Sequence, residues 1–423
     1  MSEPDVLIFS DGADRLELHP WLVGANAEGF EPAFFDRLLD AQDDPLAEQV
    51  LAAGEPDLDR VAAALPGVVG YCFVGHPGVD ERAIIQPDGG IEGVLGPLAE
   101  MGREELVRRG RWGILDPRLP LPMLRIDLPD GRVLEQIALA VIGAEGELRV
   151  LVRRRELSGD GETVEDLAPG SEQPAAPGEF DAAILDAWHW ACDWRARTSG
   201  LSGGDAELND LALASLWLAD LTMRGRHPRY GIGTYDRFKD HGFPPTVLHL
   251  GLCLLEWGRL ARATGIIDCY LDAFVSDEGA FVYYGPAVAE YGQLLALAAR
   301  YVELSGDMCW WMRRQSVLRR IWRRLLALRR QSVADAGAPE HARGLIAGLP
   351  EADYHGRDEQ WREYYYAGDA WAVRGLGDMA RILREAGQHA EAEALAAEVE
   401  AYRRDLLASV EATGVEVKGA VYV

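Results

Sequence analysis

The pattern of hydrophobic and polar positions changes once along the chain, near residue 178. Before that point, short apolar runs such as Val6–Phe9 and Val68–Val74 alternate with Gly, Pro and Asp. This alternation is typical of strands separated by turns. The clearest case is Ala138–Val152, where two apolar runs flank a Gly-Ala-Glu-Gly turn and predict a β-hairpin. After residue 178, apolar residues recur at helical spacing and glycines follow most of the helical runs.

The change of pattern predicts the domain organisation. Residues Ser158–Gly178 are rich in Gly, Glu, Pro and Ser and have no hydrophobic period, which is typical of a linker. We therefore predict a β-rich, sandwich-like domain over residues 1–160, a linker over 161–178 and a helical-hairpin domain over 179–423. The connections in the last part alternate between short and long, which favours pairs of helices whose long connections gather at one end.

Composition and charge narrow the function classes. The chain has 423 residues and a net charge of −27, with 48% hydrophobic and 26% charged residues. This charge argues against nucleic acid or an anionic membrane as a partner, and favours a neutral or cationic small molecule. We recognise neither a secretion signal nor a membrane-spanning run in the sequence. The scattered cysteines predict free thiols in a reducing cytoplasm: Cys72, Cys192, Cys253, Cys269 and Cys309.

A basic segment, Met312–Arg330, is the exception to the acidic composition. Its eight arginines surround one apolar stripe at helical spacing. A basic amphipathic helix can bind a membrane or nucleic acid. In a chain this acidic, we instead interpret it as the outer face of a helix that pairs with acidic neighbours.

Carboxylates and aromatic rings concentrate in the stretch Gly344–Trp371. Glu351 and Asp353 follow a Gly-Leu-Pro sequence, and Trp361 and Tyr365 come shortly after them. Carboxylates transfer protons and flat rings stack on sugar faces, so these residue types suit a carbohydrate site. They also suit a polar connection whose rings pack into the core, and the residue types alone do not separate the two.

Two further connections carry candidate chemistry. His227–Pro245 holds Asp236 and Asp240 beside basic residues, which favour the ionised form of an aspartate. Asp268–Gly285 places Tyr284 after acidic residues at a turn. The histidines show no metal-ligand spacing, so we expect neither a metal nor a cofactor.

These residues together resemble a known family. The order of Tyr235-Asp-Arg-Phe-Lys-Asp-His-Gly, then Glu278–Asp307 with its Leu-Ser-Gly-Asp end, then Gly344-Leu-Ile-Ala-Gly-Leu-Pro-Glu-Ala-Asp is similar to the six-hairpin glycosidases. The resemblance implies a mainly α fold, an (α/α)6-toroid-like helical-hairpin domain behind a β-rich N-terminal domain. The helical segments are fewer than six hairpins need, so it also implies an incomplete toroid. An open toroid would expose apolar inner faces, and a second copy of the chain could cover them, so a homo-oligomer is possible.

The resemblance implies a glycoside hydrolase with an inverting acid/base mechanism on a small-molecule carbohydrate substrate. Glu351 or Asp353 would be the acid. Asp240 or Asp236 would be the partner carboxylate, and the order Asp236-Arg237 departs from the family's Arg-Asp, so the match stays open. The substrate-binding residues would be Trp361, Tyr365, Tyr284, Tyr235, Arg237 and His241. The alternatives are a non-catalytic carbohydrate-binding or scaffold protein and a sugar epimerase or lyase.

Overall fold

The computed structural model describes most of the chain as two compact units, Met1–Thr222 and Met223–Val423. The described residues are 6–24, 72–76, 81–91, 93–143, 145–170, 175–200, 206–224, 226–228, 246–282, 287–335, 337–349, 362–417 and 420–422. The division after Thr222 places the first two long helices with the sheet. The sequence prediction had placed them after a linker, with the helical domain.

The N-terminal unit is built on a six-stranded antiparallel sheet with strand order β10-β9-β8-β7-β6-β3. The short pairs β1–β2 and β4–β5 accompany it. The strands are β1 (Leu7–Ser10), β2 (Arg15–Leu18), β3 (Trp21–Gly24), β4 (Cys72–Gly75), β5 (Arg82–Ile85), β6 (Gly110–Asp116), β7 (Leu119–Asp127), β8 (Val133–Ile142), β9 (Leu148–Ser158) and β10 (Gly161–Leu167).

The hairpin predicted over Ala138–Val152 is confirmed. Strands β8 and β9 pair in antiparallel register, with Ala138 opposite Val152 and Ile142 opposite Leu148. Gly146 turns the chain with a φ of 85°, a left-handed conformation that favours glycine. Strand β10 then extends the sheet through residues 161–167, where the sequence had suggested the start of a linker.

Helices pack on this sheet within the same unit. They are α1 (Arg103–Arg109), α2 (Glu179–Ala196) and α3 (Ala206–Leu221). Helix α2 buries Phe180 and Ile184 fully. Its first turn is tied to the sheet because Arg153 of β9 binds Asp181 at 2.7 Å and Asp166 of β10 at 2.7 Å. The guanidinium group of Arg153 also lies 4.5 Å from the centroid of the Phe180 ring.

The C-terminal unit consists mainly of helical hairpins. Its helices are α4 (Thr246–Glu256), α5 (Leu260–Ala273), α6 (Val288–Ser305), α7 (Met308–Ala334), α8 (Tyr366–Glu385) and α9 (His389–Thr413). Short strands pair before, between and after them: β11 (Met223–Arg224) with β12 (His227–Pro228), β13 (Ala347–Gly348) with β14 (Glu363–Tyr364), and β15 (Val415–Val417) with β16 (Ala420–Tyr422).

Helices α6 and α8 run in the same direction and touch through their backbones. Gly368 lies beside Val288 near the start of both helices, and Arg381 pairs with Glu303 at 3.5 Å near their ends. Between these points, a Cβ built on Gly375 would lie 2.3 Å from the carbonyl oxygen of Gly292. Glycine is therefore required at this crossing, because no side chain fits between the two backbones.

The basic helix α7 pairs with acidic neighbours. Arg314 binds Asp268 of α5 at 2.7 Å, and Arg319 binds Glu391 of α9 at 2.7 Å. Both contacts lie inside the C-terminal unit and join neighbouring helices. They agree with the interpretation of this segment as a helix face that binds the protein's own carboxylates.

The predicted fold class is wrong. We expected a mainly α chain with an (α/α)6-toroid-like domain, whereas the structure is 51% helical and 24% strand, with a six-stranded antiparallel sheet in the N-terminal half. The error arose because helical periodicity identifies an apolar face but not its partner. Helices α2 and α3 bury that face against the sheet. In the described part of the chain, no helix is both long enough and apolar enough to span a membrane.

Candidate functional site

Tyr365 is the site residue predicted from the sequence that lies in the described part of the chain. It precedes helix α8 and lines a small cavity of about 30 Å³ together with Ile346, Leu349 and Gly368. The other predicted site residues lie outside the described residues, and their roles stay predictions: Glu351, Asp353, Asp236, Asp240, Trp361, Tyr284, Tyr235, Arg237 and His241.

The helices that follow the predicted segments in sequence, α4, α6 and α8, run in the same direction. Helices α4 and α6 run in the same direction, since Gly251 lies beside Leu297 and, further along both helices, Glu256 binds Arg300. Helices α4, α6 and α8 therefore begin at a common end of the unit. In sequence, residues 229–245, 283–286 and 350–361 come just before these beginnings.

A groove of about 460 Å³ lies along these helices. Its aliphatic lining includes Leu248 and Leu297, and Trp371 of α8 contributes an aromatic ring that is 36% exposed. Polar and charged side chains also line the groove: His249, Glu256, Gln293, Arg300 and Arg374. The volume is in the usual range for small-molecule sites, and the lining offers both donors and acceptors.

Glu256 and Arg300 form a bidentate ion pair in the groove. Arg300 donates to Glu256 from Nε at 2.8 Å and from Nη2 at 3.0 Å. These hydrogen bonds lower the pKa of Glu256 and raise that of Arg300, so both groups are ionised at neutral pH. Glu256 can accept hydrogen bonds from a ligand but, being ionised, cannot supply a proton.

A buried polar cluster supports the segment that leads to Glu351. Asp369, in the first turn of α8, is fully buried and accepts a hydrogen bond from the backbone N–H of Ile346 at 2.8 Å. The Tyr402 hydroxyl of α9 donates to the same oxygen, Oδ1. Arg329 lies over the Tyr402 ring at 4.9 Å and binds Asp405. The cluster holds residues 344–346 against helices α7, α8 and α9.

Burial has a large effect on the ionisation of Asp369. It raises the pKa of Asp369 to about 6, and the hydrogen bonds from Tyr402 and Ile346 offset only part of that effect. The second oxygen, Oδ2, is buried and has no hydrogen-bond partner in the described structure. Strands β13 and β14, which come before and after residues 349–362 in sequence, pair with Ala347 opposite Tyr364.

Sequence reasoning missed most of the groove. Trp371 stood at the end of the stretch that the sequence singled out, but its role as a ring in the groove was not predicted. Glu256 and Arg300 lie 44 positions apart, and nothing in their spacing indicates that they meet. An acidic residue near the end of one helix and a basic residue near the end of another are common, so no sequence signal could have separated this pair from the rest.

Comparison with known proteins leaves the site to be interpreted from its own chemistry. The chain matches no family model, no curated protein and no solved structure at a significant level. The resemblance to six-hairpin glycosidases therefore remains a prediction based on the quoted residues. Within the described residues, no group of His, Cys, Asp and Glu has the geometry of a metal site.

Proposed function

We propose that the protein binds a carbohydrate in the groove of helices α4, α6 and α8 and hydrolyses a glycosidic bond. The observation that carries the proposal is that the partly exposed Trp371 and several polar side chains line the same groove. A pyranose presents C–H groups on its faces and hydroxyls around its edge. An aromatic plane beside charged donors and acceptors is complementary to both.

The proposed reaction is inverting. Glu351 or Asp353 gives its proton to the glycosidic oxygen as the bond to the anomeric carbon breaks. Asp240 or Asp236 takes a proton from water, whose oxygen bonds to the anomeric carbon from the opposite face. The two carboxyl groups should then be about 6.5–9.5 Å apart. The common end at which α4 and α8 begin supports this pairing, since the two predicted segments precede those helices in sequence.

Binding without turnover is the second candidate, and one observation favours it. Glu256 is the carboxylate that the described residues contribute to the groove, and Arg300 keeps it ionised. The groove as described therefore suits recognition of hydroxyl groups, and a carboxylic acid that gives a proton must come from residues outside this lining.

The binding part of the proposal is tested with Trp371→Ala and Trp371→Phe. We expect the alanine variant to bind its sugar about tenfold more weakly, because stacking on the ring contributes roughly 1 kcal/mol beyond area burial. Phenylalanine should restore much of the affinity. The measurement is titration calorimetry with oligosaccharides selected on a glycan array. Equal affinity of the alanine variant and the wild type would contradict the proposed location.

The catalytic part is tested with Glu351→Gln and unmodified disaccharides of the common pyranoses, by release of monosaccharide, because the sugar leaving group of these substrates needs a proton. Turnover should be lost while sugar binding is kept, because glutamine preserves the shape of the side chain but cannot give a proton. Glu363→Gln, at an exposed position on β14, is the matched control and should turn over normally. Unchanged turnover in the Glu351 variant would reject it as the acid. Binding without turnover in the wild type would favour the second candidate.

A further inference from the structure

The N-terminal unit contains a separate cavity of about 480 Å³ between the sheet and helix α2. The sheet contributes Leu121, Ala140 and Leu151, all of which are buried. Opposite them, α2 contributes small side chains, among them Ala183 and Ala187. These alanines do not reach the sheet as Phe180 and Ile184 do elsewhere on α2, which explains why space remains there. Its volume suits a small organic molecule.

Aromatic rings close one side of the cavity. Trp190 of α2 and Trp217 of α3 meet edge to face, with ring centroids 4.5 Å apart and planes at 86°. The ring centroid of Trp194 lies 5.4 Å from that of Trp217. Trp217 is almost fully buried and Trp190 half-buried, so their positions are fixed by packing. Such a preformed aromatic wall favours flat rings and cations.

The charges at the rim are unequal. Arg149 and Glu179 neutralise one another through a contact of 3.0 Å. His76 lies next to Trp190, with ring centroids 5.9 Å apart, and burial followed by the nearby Arg82 lowers its pKa, so its imidazole is neutral at pH 7. Asp186 also lines the cavity and has no ion-pair partner among the described residues. Among the charged side chains that line the cavity, Asp186 is therefore the one that no ion pair neutralises in the described structure.

We propose that this cavity binds an organic cation that carries a flat aromatic ring. The ring packs on Trp190 and Trp217 above the aliphatic floor, and the cationic group faces Asp186. An organic anion would meet the uncompensated carboxylate. A sugar would leave its hydroxyls against Leu121, Ala140 and Leu151, where no hydrogen-bond partner is available. The site lies in the other unit from the carbohydrate groove and does not depend on the proposed function.

The test compares tryptamine with its neutral analogue tryptophol on the full chain, by titration calorimetry. We expect tryptamine to bind saturably and more tightly than tryptophol. Asp186→Asn should weaken tryptamine about tenfold, which is the size of a partly exposed charge–charge contact, and leave tryptophol unchanged. Asp193→Asn, on the same helix but 79% exposed and outside the cavity, should change neither.

A second variant checks the location without removing a ring. Ala183→Leu fills the cavity from α2, so it should abolish binding of both compounds while the chain stays folded by circular dichroism. Equal binding of tryptamine by the Asp186 variant and the wild type would overturn the assignment of a cation. Absence of saturable tryptamine binding by the folded wild type, or full binding by the Ala183 variant, would overturn the site.

Discussion

Replacing Gly375 by alanine is expected to lower the free energy of unfolding by about 3 kcal/mol, at the upper end for overpacking a core. The added methyl group would lie 2.3 Å from the carbonyl oxygen and 2.8 Å from the Cα of Gly292. Both are backbone atoms and cannot rotate away, so α6 and α8 must separate. The resulting loss of packing exceeds the gain of roughly 1 kcal/mol that alanine brings to a helix.

Gly377→Ala is the matched control, two positions further along the same helix. Its new methyl group would meet Val399 Cγ1 at 3.7 Å, an ordinary contact, so the helix propensity of alanine should leave stability equal or slightly higher. Thermal unfolding should show a fall of about 6–12 °C for the Gly375 variant in a unit of this size. Equal melting temperatures of the two variants would show that the backbones are not in contact.

Asp369→Asn is expected to remove a pH dependence of about 3 kcal/mol from the stability of the protein, the equivalent of a pKa near 6 against 3.8. Because the folded-state pKa is raised, the native protein holds a proton that the unfolded chain has released between pH 4 and 6. Stability in the wild type therefore falls as pH rises through this window and stays lowered above it. Asparagine keeps an oxygen for Ile346 and Tyr402 but does not ionise.

The quantity to measure is the difference in unfolding free energy between wild type and variant at several pH values. The unfolding free energy of the Asp369→Asn variant minus that of the wild type should increase from pH 4 to pH 7. Asp369→Leu should be less stable at every pH, because it leaves the Ile346 N–H and the Tyr402 hydroxyl buried without an acceptor. Glu385→Gln, exposed on the same helix, should show no such trend. A flat difference for Asp369→Asn would contradict the raised pKa.

Local periodicity predicted individual elements better than it predicted their assembly. The β8–β9 hairpin could be predicted because both its turn and its apolar runs are local. The fold class could not, since whether α2 covers a sheet or another helix depends on long-range contacts such as Arg153 with Asp181. Periodicity also gives no sign of the close approach at Gly292, where glycine is needed for its lack of a side chain.

The sequence likewise indicated one part of the candidate site and not the other. The sequence indicated the stretch that ends in Trp371, because carboxylates and rings are concentrated there. It did not indicate the helix faces that form the groove. Those faces are brought together by helix packing, and Glu256 and Arg300 become neighbours only when α4 and α6 run side by side. Asp369 lies in the same stretch, and its burial is a product of helix packing that the sequence does not indicate.

The pairing of β13 with β14 has a consequence for how such a protein can diversify. Paired residues of an antiparallel ladder are held about 5 Å apart, so Gly348 and Glu363 form a fixed pair of ends. The hydrogen bond from the Ile346 backbone N–H to Asp369 holds the residues just before β13 in place. A sequence of different length grafted between these ends would add only about 0.6 kcal/mol of closure cost per doubling. The length of the sequence between Gly348 and Glu363 can therefore change at little cost to stability, while the helices and their glycine crossing stay as they are.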